Sequence, residues 1–134
     1  MTKEDKIKSF NPNSAGLKES NLFGLPFSPD EADVVIIPVP WEATVSYGSG
    51  AVDGPGHVME ASVQVDLYHD EFPSLWKAGV AMIDIPEHIA SLNAEVRELS
   101  TQIIALWESG IDPQTTADGA AMLENINGSC AKMN

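Results

Sequence analysis

Two apolar runs without polar alternation, each cut off by proline, most constrain how this chain can fold. The first is Asp33-Val34-Val35-Ile36-Ile37-Pro38-Val39-Pro40, and the second is Ala78-Gly79-Val80-Ala81-Met82-Ile83-Asp84-Ile85-Pro86. A half-exposed strand alternates apolar with polar residues, whereas an unbroken β-branched run reads as a strand buried on both faces, as in a parallel sheet. Proline ends such a run because it has no N–H to give to a ladder. Between the runs lie a long loop, Trp41 to Gly54, and an imperfect helical stripe of Val58, Met59, Ser62, Val63, Val65, Leu67 and Tyr68. Pro55 stands where that helix begins. Two strands joined by such a crossover are expected to be parallel, with a right-handed connection.

The clearest helix follows the second strand. Leu92, Val96, Leu99, Ile103, Leu106 and Trp107 recur on one face over residues 90–109, with Glu95, Arg97, Glu98, Gln102 and Glu108 opposite. Gly110 is its natural stop. A further helix is predicted over Ala117 to Lys132, with Met122, Ile126, Cys130 and Met133 on one stripe and Gly128 inside it. Residues 1–31 are polar and punctuated by Asn11-Pro12-Asn13 and Ser28-Pro29-Asp30, so they read as an N-terminal arm or long loop outside the core. Leu22, Phe23, Leu25 and Phe27 would lay that arm on the chain's own surface or on a neighbouring subunit. Residues 32–134 then form an α/β domain. Two parallel strands cannot supply two covered faces, and no third strand is written. The expectation is the N-terminal part of a larger α/β domain, incomplete as given. The alternative is a small domain completed by oligomerisation.

Charge narrows the partners. The chain has 134 residues, the length of one domain, with 20 acids against 7 bases and a net charge of −13. Residues 30–129 carry 17 acids against only Lys77 and Arg97. A nucleic-acid backbone binder needs Lys and Arg to neutralise phosphates, and anionic membranes repel this charge in the same way. Cationic substrates and metals are attracted. One cysteine excludes an internal disulfide. The longest apolar run, Val34 to Trp41, has 8 residues, against the roughly 20 that a membrane span needs. With a charged N-terminus and no apolar leader, the chain is expected to be soluble and cytoplasmic.

Few residues could carry chemistry. The loop Trp41 to Pro55 leaves the carboxyl end of the first strand, where ligands sit in open α/β sheets. Its Gly48-x-Gly50-x-x-x-Gly54 spacing is not a dinucleotide fingerprint, and Glu42 and Asp53 would repel phosphate. Asp66 and His69, three apart, are expected on one helix face, read as a solvated helix terminus and not as a metal pair. His57 falls in a first helical turn, and His88 starts another loop. Cys130 packs, and Ser46, Ser49 and Ser62 lack a nucleophile-elbow context. The residues alone supply no catalytic constellation.

The stretch from Asp33 to Tyr68 resembles the N-terminal region of the ureohydrolase superfamily, the arginases and agmatinases, and is most similar to the agmatinase-like branch. The residues that carry the resemblance are Val35-Ile36-Ile37-Pro38-Val39-Pro40, Thr44-Val45-Ser46-Tyr47, the turn Gly50-Ala51-Val52-Asp53-Gly54-Pro55, and Glu60-Ala61-Ser62. The resemblance implies a three-layer α/β/α fold around a central parallel sheet. It implies hydrolysis of a guanidinium or amidine C–N bond, with release of urea, by a hydroxide held on two Mn²⁺ ions. It also implies a cationic guanidinium substrate and a homo-oligomer. The family's metal motifs, Gly-Gly-Asp-His-Ser, Asp-Ala-His-x-Asp and Asp-x-Asp, are absent from this sequence. Gly56 is a second departure, standing where helix formers usually follow the Gly-Pro. No catalytic or metal residue is therefore carried over, and no cofactor is expected on this chain alone, which is expected to be inactive. Only Thr44, Ser46, Tyr47, Gly50, Gly54 and Pro55 map, at the substrate mouth or a subunit contact. The second reading is a non-catalytic oligomerising or interaction module.

Overall fold

Both apolar runs form strands, but each is short. In the computed structural model, which describes residues 1–16 and 20–133, β1 is Val34–Ile36 and β2 is Val80–Met82. They pair in parallel, Val34 with Val80 and Ile36 with Met82, as a two-stranded sheet. The helices are α1 (Lys3–Ser9), α2 (Gly54–Ser62), α3 (Glu87–Glu108) and α4 (Ala117–Lys132). This is a mixed arrangement of helices with a small parallel sheet, compatible with an α/β fold. The chain divides into two units. The first comprises Met1–Pro38 and Asp53–Ile85, and the second Val39–Val52 and Pro86–Asn134.

In the first unit, the segment read as an arm supplies the core. Leu22, Leu25 and Phe27 are buried, and Leu25 and Phe27 pack with Trp76, Ile7 and Phe10. The arm lies on its own chain, and it holds a regular element. Thr2 caps α1 by accepting from the Asp5 N–H, and the Asp5 carboxylate returns the bond to the Thr2 backbone, a reciprocal cap that starts a helix without apolar periodicity. Lys3 Nζ then bonds Asp33 at 2.6 Å and the Ala78 carbonyl at 2.7 Å, and Lys6 Nζ bonds Glu31 at 2.6 Å. Lys6, followed by the Ser28 N–H and hydroxyl, holds the Glu31 carboxyl down to about 2. Lys18 and Glu19, part of the charge balance, lie outside the described residues.

The two strands differ in burial. Ala81 and Met82 of β2 are buried. Every residue of β1 is exposed, contrary to the expectation of a strand covered on both faces: Val34, Val35 and Ile36 keep 47%, 42% and 39% of their surface. The sequence writes a two-faced strand, and the described residues leave each β1 side chain partly open. Helix α2 also stops sooner than its stripe suggests. It ends at Ser62, so Asp66 and His69 share no helix face; Asp66 instead accepts the Tyr68 N–H at 2.9 Å. The Ser62 hydroxyl is turned inward, accepting the Phe23 N–H at 3.0 Å and donating to the Met59 carbonyl at 2.8 Å.

In the second unit, α3 and α4 pack through Val96, Ile103 and Ile126, with Leu92, Leu99, Leu106, Met122, Leu123 and Cys130 around them. Gly110 follows α3 with φ 76°, the left-handed stop expected there. Two details depart from the sequence reading. His88 lies in the first turn of α3, not in a loop, and Trp107 is 56% exposed, off the buried stripe. Helix α4 begins after Thr116, whose hydroxyl accepts the Gly119 N–H at 3.1 Å. Among the described residues, no helix is long and apolar enough to cross a membrane.

Candidate functional site

One carboxylate shapes the loop that follows β1. Glu42, in the second unit, is only 8% exposed. It accepts the Ser49 hydroxyl at 2.6 Å, the Gly50 N–H at 2.8 Å and the Val52 N–H at 3.1 Å. Donors converging on a carboxylate favour its charged form. The Ser49 hydroxyl first, then the N–H groups of Gly50 and Val52, hold its carboxyl down to about 2. Gly50 sits at φ 131°, where a side chain is strained, so the turn that delivers its N–H needs glycine.

Helix α3 fastens the start of the same loop. The Glu42 N–H donates to Asn93 Oδ1 at 2.7 Å, and the Arg97 guanidinium donates to the Val45 carbonyl. Asn93 and Arg97 are four residues apart and share a face. Between these fixings the loop projects Ser46, Tyr47 and Gly48, and Tyr47 is 94% exposed. A rigid loop with an aromatic tip can grip a ligand or a neighbouring chain. It brings no activated nucleophile and no general base.

The six residues singled out in the sequence are divided between the units. Thr44, Ser46, Tyr47 and Gly50 lie in the second, and Gly54 and Pro55 open α2 in the first. Glu42, the organising group, was read in the sequence only as a loop acid that would repel phosphate, not as the acceptor that closes the loop.

The first unit has its own cleft, of about 800 Å³, at the carboxyl end of β2. Ile83, Asp84 and Ile85 leave the strand into it, and Met59, Glu60 and Phe27 line it. Two acids with an apolar floor suit a cation with an aliphatic stem. Lys6 also lines the cleft, but its charge is committed to Glu31. The sequence signal that could have found this cleft is Asp84 directly after an apolar run. Among the described residues, no three His, Cys, Asp or Glu side chains gather as a metal-holding group.

Comparison with known proteins adds one relationship. A stretch of 41 residues is 49% identical to an N(1)-aminopropylagmatine ureohydrolase of Synechocystis sp.. The stretch is 31% of this chain and 13% of that relative's length. No family model matches the chain, and no solved structure matches it. The ureohydrolase superfamily therefore has partial support, from a local similarity.

Proposed function

We infer that this chain is the N-terminal part of an agmatinase-like ureohydrolase domain, one that hydrolyses a guanidinium C–N bond of a cationic substrate. The observation that carries this reading is the 41-residue stretch at 49% identity. The parallel β1–β2 pair, the glycine loop and the start of α2 are compatible with it. The relative's name gives N(1)-aminopropylagmatine as its substrate, and an aminoalkyl guanidine of that kind suits a chain with net charge −13.

In the family, paired Mn²⁺ supplies the attacking hydroxide. The residues present here do not fit that role, because no group of three potential ligands exists among those described. No hydrolytic step is assigned to this chain's side chains. Their part is structural and recognitional: loop 41–52 displays Tyr47 at a substrate mouth or a subunit contact.

A chimera tests the reading. The aligned 41 residues of the Synechocystis enzyme are replaced by those of this chain, and urea release from N(1)-aminopropylagmatine is measured with Mn²⁺. Release within roughly tenfold of the parent supports the reading, since well-matched cores tolerate such exchange. A folded chimera without urea release overturns it.

The exposed β1 favours a second reading, an interaction module. Light scattering separates the two, because the module reading requires a discrete oligomer of this chain.

A further inference from the structure

We propose that Asn21–Leu25 is a strap clasped to β2, one that opens and closes part of the wall of the first unit's cleft as a single body. The proposal stands apart from the ureohydrolase reading. The Gly79 carbonyl accepts the Val34 N–H at 3.2 Å, and the Ile83 N–H donates to the Ile36 carbonyl at 3.1 Å, so residues 79 and 83 turn their backbone toward β1. Successive residues of a strand face opposite edges, so Met82 turns its backbone groups the other way. Asn21 meets them there. The Met82 N–H donates to Asn21 Oδ1 at 2.7 Å, and Asn21 Nδ2 donates to the Met82 carbonyl at 3.1 Å. A carboxamide carries the donor and the acceptor of a peptide group, so one side chain stands in for a neighbouring strand. Asn21 and Leu25 line the same cleft as Met82 and Asp84. The clasp therefore joins two of the segments that bound that cleft.

The strap is closed on itself. The Leu22 N–H donates to Asn21 Oδ1 at 2.7 Å. The Gly24 N–H donates to the Asn21 carbonyl at 3.0 Å, the Leu25 N–H to the Leu22 carbonyl at 3.2 Å, and the Asn21 N–H to the Leu25 carbonyl at 3.2 Å. A second side chain pins it from α2. The Phe23 N–H donates to the Ser62 hydroxyl at 3.0 Å, and that hydroxyl is itself fixed on the Met59 carbonyl at 2.8 Å. The shut form carries strain, because Phe23 sits at φ 61° and ψ 18°, the left-handed region that a bulky residue enters only at a cost. Strain in the shut form favours opening. Burial of Leu22 and Leu25 opposes it, so the open form is the minor one of the pair. Asn21 Oδ1 serves the Leu22 and Met82 amides together, so release of the clasp frees both. Opening parts Asn21 from Met82 and enlarges the cleft beside Asp84.

The test is amide exchange on the full chain, read residue by residue, with each pin removed in turn. Asn21→Ala takes the acceptor from Leu22 and Met82 and leaves the Phe23–Ser62 bond untouched. If the strap moves as one body, the Phe23 amide should nonetheless speed up with the other two, each by at least about tenfold. Ser62→Ala acts from the opposite end. It frees the Phe23 N–H directly and should speed the Met82 amide by a similar factor, although Asn21 is intact. Ile103 in α3 should keep its exchange rate in both variants, which separates strap opening from global unfolding. The Met82 side chain, 4% exposed in the shut form, should also gain broadening of its methyl signal from a neutral paramagnetic probe in Asn21→Ala. Should Asn21→Ala fail to fold, Ser62→Ala decides alone. Acceleration confined to the amides whose acceptor was removed overturns the proposal, because the segment then has no joint motion. Equal acceleration at Ile103 overturns it as well, because the opening is then that of the whole chain. An unchanged Met82 methyl beside accelerated amides removes the link to the cleft and overturns the proposal in that form.

Discussion

The Glu42 carboxylate accepts the Ser49 hydroxyl at 2.6 Å, closing an eight-residue loop on a single buried acid. The same carboxylate takes the N–H groups of Gly50 and Val52. Removing it leaves those donors without their acceptor. In Glu42→Ala, amide exchange at Gly50 and Val52 should rise by at least about tenfold. The α3–α4 packing through Val96, Ile103 and Ile126 should persist. Unchanged exchange at both amides would contradict the role given to Glu42.

Acid should act on the same loop. The folded Glu42 carboxyl is held down to about 2 from an ordinary 4.5. A lowered folded value means that the charged form stabilises the folded loop. That contribution is fully present above pH 4.5 and is lost as pH falls from 4.5 toward 2. Glu31 is held down to about 2 as well, by Lys6 first, and loses its contribution over the same window. The Gly50 and Val52 amide shifts, followed by NMR, should titrate with a midpoint near 2. A midpoint near 4.5 would show that the carboxylate is not held as described.

The segment before β1 belongs to the core. Phe27 is 1% exposed, and a Cβ placed on Gly79 would come within 3.0 Å of its ring, at a φ of 78°. Phe27→Ala should cost about 3–5 kcal/mol, and Gly79→Ala should also destabilise. Urea unfolding of the two variants measures both effects. If Phe27→Ala unfolded like the parent, residues 1–31 would be a detachable arm.

The legible and illegible parts of this chain divide along physical lines. Helix α4 runs from Ala117 to Lys132 as its stripe indicates, and α3 carries Val96 and Ile103 inward, because a 3.6-residue period is a local signal. The strand character of both apolar runs was equally plain. Burial of β1 was not, because an apolar run says what a strand can bury and not what is laid over it. Helix α1 has no apolar stripe; its capping box and the Lys3 and Lys6 ion pairs establish it. The organising role of Glu42 was hidden for a related reason. A carboxylate becomes an organiser only when a glycine turn aims N–H groups at it, and acids are common in this sequence.

Helix α3 carries one flaw. Ser100 is 4% exposed, and its hydroxyl has no hydrogen-bond partner among the described residues. A buried hydroxyl without a partner costs free energy, and alanine is the better helix former. Ser100→Ala should therefore raise stability by about 1 kcal/mol, read as a higher urea midpoint with an unchanged slope. A loss of stability would mean that Ser100 has a partner after all.

The central claim is that this sequence belongs at the front of a ureohydrolase domain. The most direct measurement is the DNA that follows the codon for Asn134, read in all three frames. The account predicts that Gly-Gly-Asp-His-Ser, Asp-Ala-His-x-Asp and Asp-x-Asp motifs follow in one frame. A stop followed by unrelated sequence in every frame would contradict it and leave the interaction module as the reading of this chain.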